Sequence, residues 1–202
     1  MNKKLSILMN FQVLLLVMLV FSKAHAITSL TDNFDSETAM LNYAGFANWD
    51  VNNGTVDTVA TGTFSIACSG GSAICVDLDG STSDSGILST KEKFDVGVYI
   101  LSFDISGNQR GMADDTVEVI FGDYSETFTL ASNAPWQTIT RNVEVTNSML
   151  DGTLSFENEG GDNFGIILDN VSVGVVPIPA AAWLFGSALL GLVGYSRKRS
   201  KA

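Results

Sequence analysis

Histidine is almost missing from this chain. Its one copy, His25, falls within the first 26 residues, a stretch with the features of a removable export signal. The rest has no imidazole, so it cannot assemble a Ser-His-Asp or Cys-His relay, nor a histidine-bearing zinc site. Basic residues are also scarce, with 11 Lys and Arg against 22 Asp and Glu. Seven of the 11 lie at the two ends (Lys3, Lys4, Lys23, Arg197, Lys198, Arg199, Lys201). Between the ends only Lys91, Lys93, Arg110 and Arg141 offset all 22 carboxylates, a formal charge near −18. Phosphate binding needs clustered cations, so nucleic acid is excluded as a natural partner. Such a surface stays soluble by self-repulsion and invites divalent cations. Carboxylate-only chemistry, such as glycoside hydrolysis by an Asp/Glu pair, survives the lack of histidine. No sequence feature marks any pair as a tuned acid and base.

Cysteine occurs twice, at Cys68 and Cys75, bracketing a Gly/Ser-rich stretch. In an exported chain a close, even pair most simply forms one disulfide around a small loop. A metal site would need more ligands nearby. Proline occurs three times, and two copies, Pro177 and Pro179, stand almost together. Neither can continue a helix or donate to a sheet, so they part the chain into a segment before them and a segment after. A long hydrophobic run is also missing. The uncharged segment 180–194 belongs to an apolar stretch of about 15 to 18 residues, at the short end of what spans a bilayer. Arg197, Lys198, Arg199 and Lys201 come after it and hold that end on the cytoplasmic side.

The order of proline motif, apolar helix and arginine cluster resembles the PEP-CTERM sorting domain of exported Gram-negative proteins. The match is to the variant reading VPxPAAAWLFGSxLLGL, carried by Val176, Pro177, Pro179, Ala180, Ala181, Ala182, Trp183, Leu184, Phe185, Gly186, Ser187, Leu189, Leu190, Gly191 and Leu192. Ile178 stands where the commonest form carries Glu. The resemblance implies recognition by an exosortase, a membrane transpeptidase; the plainer alternative is an ordinary tail anchor. The other end agrees. Lys3 and Lys4 precede an apolar run at 11–21, and Ala24-His25-Ala26 supplies the small-x-small pattern that signal peptidase reads. Cleavage after Ala26 leaves Ile27 first. The expected organisation is therefore a signal peptide over 1–26, one domain over 27–175 and a sorting signal over 176–202.

The middle is a series of short alternating stretches. Tyr99, Leu101, Phe103 and Ile105 share one face; Val117, Val119 and Phe121 repeat this, as do Phe128 with Leu130, Ile139 with Val143 and Val145, Leu154 with Phe156, and Val171 with Val173 and Val175. Period two with one apolar face predicts half-buried antiparallel strands. Turn signals separate them, among them Asp79-Gly80, Gly122-Asp123 and Gly160-Gly161-Asp162. The fold class expected is all-β, a single sandwich between an N-terminal signal helix and a short C-terminal transmembrane helix.

The stretches CVDLDGS, SGILST, GVYILSFDISGN, PWQTITRNVEV and GIILDNVSV, with a DNFDSE opening strand at 32–37, resemble the galactose-binding-like jelly roll. That resemblance implies a two-sheet jelly roll, common in carbohydrate-binding modules and cell-surface proteins. It also implies a structural calcium where first and last strands meet, at Asp35, Glu37 and Asp169, whose hard oxygens suit that ion. The plainer account is that these carboxylates cap turns. Trp136 is a candidate sugar platform or a closure of the sandwich rim, and the resemblance, which carries an aromatic there, favours closure. Trp49 and Tyr124 are similar candidates. Arg110 is expected to pair with Asp114 or Asp115.

The function expected is that of an exported, non-enzymatic surface or extracellular-matrix protein. It passes through signal peptidase and an exosortase-type enzyme, is held at the inner membrane only in transit or through its C-terminal helix, and associates with exopolysaccharide or biofilm. A carbohydrate-binding module is the alternative and a carboxylate-dependent glycoside hydrolase the outsider. Intact mass of the protein from its native host should show a chain beginning at Ile27 and ending near Pro177 and Pro179. A chain still carrying Arg197 and Ala202 would instead mean a plain tail anchor.

Overall fold

Where apolar side chains alternate, strands form. The computed structural model describes residues 29–147, 152–176 and Phe185. The signal-cleavage residues Ala24 and Ala26 lie outside these, as do Pro177, Pro179, Ala180, Arg197, Lys198 and Arg199 of the sorting motif. Val176 lies inside and donates its N–H to the Val98 carbonyl at 3.0 Å. Among the described residues no helix is long and apolar enough to cross a membrane.

The described strands are β1 (Leu30–Asp32), β2 (Trp49–Asn52), β3 (Asp57–Ala60), β4 (Ile74–Asp77), β5 (Ile87–Thr90), β6 (Gly97–Ser106), β7 (Asp115–Phe121), β8 (Tyr124–Leu130), β9 (Gln137–Val145), β10 (Ser155–Asn158) and β11 (Ile167–Val175). They make two antiparallel sheets. The first runs β3-β4-β11-β6-β9, with β1 also paired to β11; the second runs β2-β5-β10-β7-β8. The DNFDSE segment departs from expectation. The opening strand ends at Asp32, and Phe34 turns the chain at φ 57° with its ring fully buried. Asp32 fixes that turn by accepting the Phe34 N–H at 2.9 Å and the Trp49 indole N–H at 2.9 Å.

The facing sides of the sheets form one core. Phe156 lies at its centre, 6.0 Å from Trp49 and 5.3 Å from Phe103 between ring centroids, beside Leu88, Leu101, Val119 and Leu168. β11 reaches this core through a bulge between Asp169 and Ser172. Before it, Ile166 and Leu168 face the core; after it, Val171 and Val173 do. Two even-numbered and two odd-numbered residues can share one face only if one residue leaves the ladder. Asn170 does so, at φ 50°, a left-handed conformation that Asn tolerates. The tight β7–β8 turn uses Gly122 at φ 60°, where a Cβ would lie 2.4 Å from the Glu144 carbonyl oxygen.

One open side of the sandwich, between the edge strands β8 and β9, is spanned by an ion pair. Arg141 donates from Nε to Glu126 Oε2 at 2.8 Å and from Nη2 to Oε1 at 2.9 Å, and the Tyr124 hydroxyl donates to Oε2 at 2.7 Å. The Arg141 hydrogen bond, followed by that of Tyr124, holds the Glu126 carboxyl below its ordinary range.

Phe156→Ala should destabilise the domain by about 3–5 kcal/mol through lost transfer energy and the cavity left behind. Ile120→Ala, on the outer face and 37% exposed, should cost about 0.5 kcal/mol or less. Paired denaturant melts check both.

Candidate functional site

The outer face of the first sheet carries a loop over residues 61–73, tied down by its cysteines. Cys68 and Cys75 form the expected disulfide, with their Cα atoms 5.5 Å apart. Beneath the loop Val59, Ile66, Ile167 and the two cysteines make a second small core, and Trp136 packs against it. Ala67 is held from two sides. Its N–H donates to Gln109 Oε1 at 2.9 Å, while its carbonyl accepts Gln109 Nε2 at 3.1 Å and the Trp136 indole N–H at 2.8 Å. Trp136 is thus half-buried and bonded into the loop. Trp49 is fully buried, and Tyr124 belongs to the ion pair on the open side. The most exposed aromatic of the sandwich is Phe64, at 55%, in the same loop at φ 51°. It lines an open groove of about 240 Å³ with Met40 and Leu41.

Two of the three carboxylates expected to bind calcium, Asp35 and Asp169, serve this loop. Asp169, fully buried, accepts the N–H of Ser69 at 3.1 Å and of Asn170 at 2.7 Å. Asp35 Oδ1 accepts the Ser72 hydroxyl at 2.6 Å and the N–H groups of Ala73 and Ile74 at 2.7 and 3.0 Å; Oδ2 takes the Asn33 amide at 2.9 Å. Glu37 points elsewhere, accepting the Tyr43 hydroxyl at 2.8 Å and the Ala47 N–H at 2.9 Å. Donor hydrogens aimed at an oxygen occupy the place a cation would take. Among the described residues no three His, Cys, Asp or Glu side chains gather as a metal cluster. Asp35 and Asp169 clamp the loop through these hydrogen bonds, while Glu37 ties Tyr43 to Ala47. Asp104 joins them unforeseen, accepting the Ser69 hydroxyl at 2.7 Å, the Thr138 hydroxyl at 2.6 Å and the Asn170 amide at 2.9 Å. Its only trace in the sequence is an acid at an outward position of β6.

Electrostatics separates the three acids around Ser69. Burial raises the Asp169 carboxyl to about 7 against the pull of the Asn170 and Ser69 N–H groups, with Asp35 and Asp104 adding repulsion. Burial also pushes Asp104 up, but the hydrogen bonds from Thr138, Ser69 and Asn170 outweigh it and leave the group below the ordinary range. Asp35 is lowered, chiefly by Ser72.

A second group of acids lies where β4 ends and β11 begins. Here Arg110 departs from expectation. Its Nη2 pairs with Asp77, and its guanidinium lies 4.4 Å from the centre of the Phe164 ring. Asp114 and Asp115 are not its ion-pair partners; Asp115 instead accepts the Asn108 amide at 2.7 Å. Asp77 Oδ1 also takes the Gly165 N–H at 2.9 Å. Gly165 makes this approach possible, since a Cβ there would sit 2.4 Å from the Asp79 nitrogen. Burial raises Asp77 to about 6 despite Arg110. Asp79 rises to about 7, through burial first and then the adjoining Asp162 side chain. The neighbouring cleft, about 280 Å³, is lined by Asp114, Asp115, Glu159 and Asp162.

No protein-family model matches the chain, and no curated protein matches it in sequence. Solved structures share its fold. The K1 cleaved adhesin domain of Lys-gingipain from Porphyromonas gingivalis W83 aligns over 74% of this chain and 99% of its own length, at 15% identity and a TM-score of 0.51. An arabinose-bound α-L-arabinofuranosidase aligns over 76% of this chain but only 27% of its own, at 11% identity and a TM-score of 0.52. The likeness shows a shared β-sandwich.

The raised Asp169 carboxyl has a definite sign. The folded state holds that proton more tightly than the unfolded chain, so its stabilising contribution is complete below about pH 4. It is lost as pH rises through about 7. Asp77, Asp79 and Asp115 are shifted the same way. In chelator-treated buffer the melting temperature should therefore fall between pH 5 and pH 8 by roughly 3–8 °C. Asp169→Asn should flatten that slope without abolishing it. A melting temperature that climbs over this interval would contradict the assignment.

Proposed function

We propose that this chain is an exported, non-enzymatic component of the cell surface or extracellular matrix of a Gram-negative bacterium. Signal peptidase releases it after Ala26, and an exosortase-type transpeptidase reads the sorting motif from Val176 through Arg199. The membrane holds the chain only through the C-terminal segment, in transit or as an anchor. The sandwich between the signals is a galactose-binding-like jelly roll, and its place is within exopolysaccharide. The observation that carries this reading is the domain's likeness to an adhesin domain, which it matches over 99% of that domain's length. Asp35, Asp104 and Asp169, which hold the 61–73 loop, agree with it, being engaged in structural hydrogen bonds.

A second reading, a dedicated carbohydrate-binding module, is favoured by Phe64. An aromatic ring 55% exposed beside an open groove offers a sugar ring a stacking surface. Trp136, bonded into the loop, supports the rim-closing role.

Deleting residues 177–202 while keeping the signal should move the protein from the cell-surface and matrix fraction into the medium, with no loss of folding. Unchanged retention would overturn the sorting role. Saturable glycan binding weakened about tenfold or more by Phe64→Ala would select the binding module.

A further inference from the structure

The outer face of the first sheet is only partly covered. The 61–73 loop lies over the part of β6 around Asp104, which accepts the Ser69 hydroxyl at 2.7 Å. Toward the start of β6 the face is bare, and there it is apolar. Tyr99 and Leu101 point into the core, so Val98 and Ile100 point outward by alternation. Val96 stands just ahead of the strand. Val176 donates its N–H to the Val98 carbonyl and continues the β11–β6 register, which gives it the same outward parity as Val98. Val96, Val98, Ile100 and Val176 are 65%, 48%, 41% and 38% exposed. Gly174, opposite Ile100, leaves the space beside them open, since a Cβ there would meet nothing within 4 Å. The outer face of the second sheet is different. Ile120 is flanked there by Ser125 and Ser155, its cross-strand partners. A strip of neighbouring aliphatic side chains turned to solvent marks an interaction surface.

We infer that this strip seats the sandwich on the lipid bilayer that takes up the C-terminal segment. The inference rests on the reading of that segment as membrane-held. Chain length carries the argument. Val176 belongs to the strip, and the uncharged stretch 180–194 starts four residues later. Four residues reach at most about 14 Å, whatever path they take. With 180–194 in a bilayer, Val176 can stand no farther than that from the membrane boundary, and Val98 is beside it. The tether therefore brings the strip to a phase that buries apolar surface. Charge selects the lipid. So acidic a domain is repelled by anionic headgroups, and the surface it fits is zwitterionic.

The test places a fluorophore on the full chain reconstituted into phosphatidylcholine vesicles. Val98→Cys carries the label in one preparation and Ile120→Cys in another. Flotation reports whether the membrane holds the chain, and iodide quenching reports whether it covers the labelled face. On vesicles iodide should quench the label at 98 at least about threefold less than the label at 120. Adding Val96→Ser and Ile100→Ser to the Val98→Cys chain should lower the ratio of seated to free domain about tenfold. Both side chains are exposed, so the melting temperature should stay within about 4 °C. Equal quenching at 98 and 120 on chains that float would overturn the inference and leave the membrane-held tail standing. Chains that do not float would remove that reading and the inference with it. Shielding at 98 in lipid-free buffer would also overturn it. If that shielding grows with protein concentration, the occupant is a second copy; if it does not, the occupant is the segment 177–202 of the same chain.

Discussion

One residue out of register in β11 governs the architecture. This strand lies between β6 on one side and β1 and β4 on the other, so every strand of the first sheet depends on its faces pointing correctly. Side chains alternate with period two. Without the bulge, the apolar set after Asp169 would point away from the second sheet, and Asn170, Ser172 and Gly174 would enter the core. Releasing Asn170 from the ladder keeps Leu168, Val171 and Val173 on one face. Just before the bulge, ordinary alternation puts Asp169 on the opposite face, opposite Asp104 of β6 and under Ser69. The released Asn170 in turn donates to both Asp169 and Asp104, so the bulge also braces the acids that clamp the 61–73 loop.

That loop changes what the strands beneath it look like in sequence. β6, β7, β9 and β11 have one wet face over most of their length, so their alternation is plain. β3 and β4 are covered on both sides: Val76, with Val56 and Leu78 just beyond the strands, faces the main core, while Val59 and Cys75 face the second one. Four residues buried on both faces carry no period, and β2 and β5 are equally short. The disulfide was legible from spacing and implied compartment alone. The role of Asp35 and Asp169 was half legible. Both are important acids, but their partners are main-chain N–H groups of residues 69, 73, 74 and 170, which every sequence contains and none advertises. Arg110 illustrates the same limit. Its nearest acids along the chain are Asp114 and Asp115, yet folding brings Asp77 to it through the close approach at Gly165.

A domain with so few cations has to disperse its negative charge by other means. Backbone dipoles are one of them. Asp32, Asp35, Asp77 and Asp169 each accept main-chain N–H groups, so hydrogen bonds replace counter-ions inside turns and loops. The two arginines supplement these donors. Arg141 joins opposing sheet edges and Arg110 balances a fully buried acid. Pairs like Arg141–Glu126, more than a third exposed on both sides, are worth little individually; this one also covers the open side between β8 and β9.

The two ends of the sandwich are therefore unequal. β11 begins beside Asp77 and the acidic cleft and runs nine residues to Val175, about 30 Å at the usual rise per residue. The next residue, Val176, is held by Val98. If residues beyond Val176 hold the domain to a membrane or to the matrix, the attachment is at the end where β11 finishes. The acids around Asp79 and Asp162 then lie at the far end, presented outward. Charge concentrated away from the point of attachment meets cations in the medium before it meets the envelope.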